Sequence, residues 1–111
     1  MDIRQAQREV DDWIGQFKEG YWHPLTLVAR LAEEVGELAR EVNHRYGQKR
    51  KRHDEAEGDL EEEMGDLLFV LCCLANVTET DLARAFRRTM SKLYARDAYR
   101  FPRKDEGERG T

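Results

Sequence analysis

Two short acidic motifs hold the residues of this chain best suited to chemistry: Glu33-Glu34-Val35-Gly36-Glu37 and Glu62-Glu63-Met64-Gly65-Asp66, each set in an apolar segment. Residues three apart share a helix face, so Glu34 with Glu37, and Glu63 with Asp66, each form a two-carboxylate clamp. At about 100° per residue, Glu34 falls roughly 20° from Leu27, on the edge of the stripe Leu27, Leu31, Val35, Leu38 and Val42. Glu63 falls between Val70 and Leu74 on its own helix, and Asp66 at the boundary of that face. Carboxylates on an apolar seam are costly to desolvate, and two clamps on facing seams repel one another. A hard divalent cation bound by carboxylate oxygens resolves both costs. Oxygen-only ligation favours Mg²⁺, with Mn²⁺ as a substitute, over iron or zinc. A di-iron bundle would need Glu-x-x-His on two helices. His44 and His53 do not follow an inward-facing Glu by three residues, and His23 lies in a connector. The competing reading makes these acids surface charges paired with Arg30, Arg40 or Arg45; it suits any single Glu better than two clamps on two seams.

The elements that must position these acids are helices. Ile3, Ala6, Val10, Trp13, Ile14 and Phe17 recur at spacings of three and four, which predicts a first amphipathic helix over about 2–18. Gly20 ends it, and the aromatic connector Gly20-Tyr21-Trp22-His23-Pro24 leads to a second helix over about 24–45, with Gly47 as its stop. The stretch 47–58 has no large apolar residue and reads as a surface loop or a solvated helix end. A third helix spans about 59–76, with Asp59 as cap and Asn76 at its end; it is apolar nearly all round, as expected of a helix buried on several sides. A fourth begins near Thr78 or Thr80, buries Leu82, Ala85, Phe86, Met90 and Leu93, fades over 97–100 and stops at Pro102.

The 111 residues allow one core, so the expectation is a single domain over 1–102 with a polar tail over 103–111. The net charge of −4 gives no global electrostatic case for nucleic acid. The longest apolar run, Leu67 to Ala75, is too short to span a bilayer, and the first ten residues do not read as a signal peptide. Cys72 and Cys73 are adjacent and poor disulfide partners, which together with the missing signal predicts a reduced, cytoplasmic protein.

Taken together, the two acidic motifs resemble the signature of the MazG-type nucleotide pyrophosphohydrolases, which are related to the dimeric dUTPases and to phosphoribosyl-ATP pyrophosphohydrolase. The likeness extends to Trp13-Ile14, Gly20-Tyr21-Trp22 with Pro24-Leu25, Tyr46-Gly47, Leu74-Ala75-Asn76 and the stretch from Lys92 to Arg100. It is greatest to the short, single-domain members. The resemblance implies an all-α four-helix bundle and hydrolysis of a nucleoside triphosphate between the α and β phosphates, with a role in cleansing the nucleotide pool. It implies Mg²⁺ held by Glu34, Glu37, Glu63 and Asp66, with Glu33 as a further ligand or orienting the attacking water. It also raises Lys92 and Arg96, one turn apart, as phosphate contacts above Arg88, Arg100 and Lys49 to Arg52. Trp22, with Tyr21 and Phe17 behind it, is the expected stacking surface for the base. Family members form dimers or dimers of dimers, and the apolar excess of the third helix agrees with a homo-oligomer, here a tetramer. The alternatives are phosphoribosyl-ATP hydrolysis, which shares fold and metal logic, and a non-catalytic helical module that senses a nucleotide or metal.

Overall fold

The computed structural model describes residues 1–47 and 59–104. The loop expected over 47–58 falls outside the described residues apart from Gly47, as does the tail beyond residue 104. The described residues are helical with no strand: α1 (Ile3–Ile14), α2 (Pro24–Tyr46), α3 (Leu60–Val77), α4 (Leu82–Lys92) and a π-helical turn, Leu93–Asp97. They divide into two compact units, Met1–Thr80 and Asp81–Thr111.

In the first unit α3 packs against both α1 and α2. That central place explains why α3 is apolar around most of its circumference: Val70, Cys72, Cys73 and Ala75 are all buried. Each helix start is capped as its sequence requires. Asp2 and Gln5 form a reciprocal capping box on α1. His23 caps α2, its Nδ1 accepting from Leu25 N at 3.1 Å, with Pro24 in the first turn. Asp59 accepts from the amides of Glu61 and Glu62 at the start of α3.

Two boundaries differ from the periodicity. The first helix ends at Ile14 rather than near residue 18, because the chain turns at Gly15. Phe17 finds its apolar partner without a helix: its ring meets Trp13 edge-on, centroids 5.2 Å apart. The third helix runs past Asn76 to Val77 and closes in a Schellman turn: Thr80 N donates to Ala75 O at 2.7 Å and Glu79 N to Asn76 O at 3.1 Å. Glu79 takes the left-handed conformation, φ 56°, that this turn demands. Thr78, expected to open the fourth helix, instead donates its hydroxyl back to Leu74 O and Ala75 O.

A side-chain knot fastens the connector to α1 and α3. Tyr21 donates its hydroxyl to Asp11 Oδ1 at 2.7 Å and accepts from Asn76 Nδ2 at 2.9 Å. Asn76 also donates to Gln7 O, and Gln7 Nε2 donates to Asn76 Oδ1. Burial and the Asp11 carboxylate push the Tyr21 phenol up to about 12. Gly20, at φ 67°, supplies the left-handed turn that presents Tyr21 and Trp22 side by side.

The second unit contains α4, capped by Asp81, which accepts from Ala83 N and Arg84 N. Neither Thr78 nor Thr80 is the cap. The acceptor geometry of a carboxylate serves two amides at once, as at α3. Of the expected core face, Leu82, Ala85 and Met90 are partly covered, whereas Phe86 is 58% and Leu93 42% exposed. The helix widens into its π turn directly after Lys92.

Candidate metal centre

The seam between α2 and α3 gathers three of the expected carboxylates. Glu34 and Glu37, one turn apart on α2, and Glu63, in the first turn of α3, each bring an oxygen within 4.8 Å of the others. Glu34 is 2% exposed, Glu63 half-buried and Glu37 open to solvent. The placement of Glu63 is aided by its position: with Glu61 and Glu62 it sits in the first turn of α3, where the helix dipole favours negative charge. Glu34 Oε1 meets the Arg30 guanidinium at 3.0 Å. Its Oε2 and the Oε2 of Glu63 are both buried without a hydrogen-bond donor.

The electrostatics are those of an anionic nest short of positive charge. Burial pushes the Glu34 carboxyl up, the Glu37 and Asp66 carboxylates add to this, and Arg30 opposes it. Burial likewise raises Glu63, reinforced by Glu37, Asp66, Glu34 and Glu62. One guanidinium does not offset these charges. Hard oxygens, convergent from two helices, with two buried lone-pair-bearing atoms left unsatisfied, fit a hard divalent cation such as Mg²⁺.

Asp66 lies outside the three-carboxylate group but near enough to raise both Glu34 and Glu63. It lines, with Glu34 and Arg30, a cleft of about 280 Å³ whose other walls include Trp22, Phe69 and Cys73. The nest therefore opens on one side to an aromatic-walled cleft. Trp22 is 45% exposed and donates its indole N–H to Glu19 at 3.1 Å, which fixes the ring at the cleft wall. Tyr21 shares the wall; Phe17 does not. Glu33 points to solvent and is not one of the three converging carboxylates.

Lys92 and Arg96 belong to the second unit. Lys92 is exposed and lines a shallow groove with Arg84, Arg87 and Arg88. Arg96, within the π turn, pairs with Asp97 at 3.4 Å, and Arg100 reaches the same carboxylate at 3.7 Å. Among the cleft residues not singled out by the sequence for a part in the site are Arg30 and Phe69. Arg30 carried a signal in its i, i+4 spacing to Glu34, and Phe69 carried none beyond its place in an apolar run.

A model of the MazG nucleotide pyrophosphohydrolase domain matches residues 23–101. The chain is 56% identical over 106 residues to the uncharacterized protein YpjD of Bacillus subtilis, covering 96% of each. The crystal structure of that YpjD superposes with a TM-score of 0.75, over 83% of this chain and 94% of that one. A second crystal structure, of a Bacillus-conserved MazG protein that is a nucleotide pyrophosphohydrolase, is 50% identical with a TM-score of 0.75, over 88% and 95%. No helix among the described residues is long and apolar enough to cross a membrane. With the domain match spanning most of the chain and both acidic motifs inside it, the chain belongs to the MazG family of nucleotide pyrophosphohydrolases.

Proposed function

We propose that this protein is a Mg²⁺-dependent pyrophosphohydrolase that cleaves ribo- or deoxynucleoside triphosphates to the monophosphate and pyrophosphate, and so serves to clear the nucleotide pool. The observation that carries this reading is the convergence of Glu34, Glu37 and Glu63 within 4.8 Å, two of them with a buried oxygen that lacks a donor. Glu34, Glu37, Glu63 and Asp66 would hold the metal. When bound, it would neutralise charge on the phosphates and make a water usable as nucleophile near neutral pH.

The chain's own residues divide the remaining work. Glu33, exposed and outside the three converging carboxylates, is assigned to accept the proton of the attacking water on the strength of its place in the acidic motif. Trp22 and Phe69 offer flat apolar surface for the base in the cleft that Glu34 and Asp66 border. Lys92 and Arg96 are assigned to the phosphates, where cations offset charge that grows at the transition state. For Arg96 this requires giving up Asp97.

A homo-oligomer, a tetramer in this reading, is supported by apolar residues left exposed on α2, among them Val35 and Val42 of the expected stripe. Leu25, Val28, Val35, Val42 and Tyr46 are 75%, 50%, 50%, 39% and 74% exposed and recur at heptad spacing. A panel of canonical and damaged triphosphates with Mg²⁺, followed by ³¹P NMR, tests the activity. Pyrophosphate plus monophosphate is expected; orthophosphate, or turnover confined to phosphoribosyl-ATP, would overturn it.

A further inference from the structure

Arg30 stands in an unusual position. It is the cation paired with the buried Glu34 of the acidic nest, at 3.0 Å, and it also lines the cleft beside Trp22 and Asp66. Its side chain is 49% exposed, against 3% for Glu34. A guanidinium half in water can swing out of the pair without being buried elsewhere, so the cost of separation falls on the buried carboxylate. Glu34 is fixed in the α2–α3 seam and needs positive charge wherever Arg30 goes.

We propose that Arg30 is a displaceable counter-ion, which neutralises Glu34 while the nest lacks a metal and turns to the anionic part of the cleft's ligand once a divalent cation takes Glu34. This rests on the metal-dependent nucleotide reading above. Arg30 and the metal then compete for one carboxylate, since a cation beside Glu34 repels a guanidinium 3.0 Å from it. The same exchange couples the two ligands. Metal loading frees a five-donor planar fork at the edge of the cleft, and a phosphate is the anion such a fork fits best. Metal and nucleotide therefore each raise the affinity for the other through Arg30. A guanidinium whose role were to orient Glu34 for the metal would act in the opposite sense, because its removal would weaken metal binding.

The test is Mn²⁺ affinity, read by electron paramagnetic resonance without nucleotide, in the wild type, Arg30→Ala and Arg30→Lys, with circular dichroism to verify folding. Loss of the competing charge is expected to tighten Mn²⁺ binding on the order of tenfold in Arg30→Ala. Arg30→Lys, which keeps the charge without the fork, is expected to stay within about threefold of the wild type. At saturating Mn²⁺, a triphosphate analogue with an α,β-methylene bridge is expected to bind roughly tenfold more weakly to Arg30→Ala. Unaltered or weakened Mn²⁺ affinity in Arg30→Ala overturns the displacement, and unaltered analogue affinity overturns the transfer to the ligand. A wild type that binds no Mn²⁺ overturns the metal reading and this inference together.

Discussion

Glu63 is the residue on which the acidic site turns, because of the three converging carboxylates it is the one that comes from α3. Its Oε2 is buried without a donor, and the neighbouring carboxylates raise its proton affinity. Glu63→Gln keeps the shape and one oxygen and removes the charge. The variant is expected to lose activity about a hundredfold or more, while the metal-free protein becomes more stable through relief of repulsion. Glu37→Gln and Asp66→Asn are expected to lose activity similarly; full turnover in any of the three removes that residue from the site. The pH dependence has a definite sign. Glu34 and Glu63 hold protons more tightly folded than unfolded. They therefore favour the metal-free fold below their unfolded values, and that contribution is lost as pH rises through their raised ones. A thermal scan of metal-free protein from acidic to neutral pH is expected to show this fall, flattened in Glu63→Gln. The carboxylates were legible in the sequence because a charge on an apolar stripe shows on a helical wheel. Arg30's place in the cleft was not, since the i, i+4 pair that marks it also describes an ordinary surface ion pair.

At the scale of elements, period and caps made α2 and α3 readable, and local chemistry decided the ends that periodicity misjudged. Trp13 and Phe17 keep helical spacing, yet Phe17 is satisfied by edge contact beyond the helix end. Thr78 and Asp81 both suit an N-cap; the Schellman turn after α3 claims the threonine and leaves the carboxylate for α4. That turn places Glu79 at φ 56°, so Glu79→Gly is expected to raise stability by about 1 kcal/mol in urea denaturation. Asp59→Ala, which orphans the amides of Glu61 and Glu62, is expected to cost about 1 kcal/mol. Long-range pairing is not written in local pattern, and the knot of Gln7, Asp11, Tyr21 and Asn76 was invisible for that reason. Tyr21→Phe removes its hydroxyl bonds and is expected to cost about 1 kcal/mol. Because burial raises the phenol from 10.0 to about 12, wild-type stability is expected to fall as pH climbs through that interval. The same fall is expected to be smaller in Tyr21→Phe.

The whole molecule joins a metal-binding reading to an exposed apolar stripe on α2. Val28 and Val35 are each half exposed on the face of α2 that carries the heptad stripe. If the proposed homo-oligomer forms through that stripe, Val35→Glu puts a charge into it and is expected to lower the mass read by light scattering; an unchanged mass would rule this stripe out as the interface. The central claim is that Glu34, Glu37 and Glu63 are gathered because a divalent cation completes them. Its most direct test is the melting temperature of wild type and Glu63→Gln titrated with Mg²⁺ to tens of millimolar, roughly the span that weak Mg²⁺ sites require. A ligand that binds only the folded state raises stability with its logarithmic concentration. The wild type is expected to climb steadily and Glu63→Gln to stay nearly flat. A flat wild-type curve, or equal climbs in both proteins, would contradict the claim.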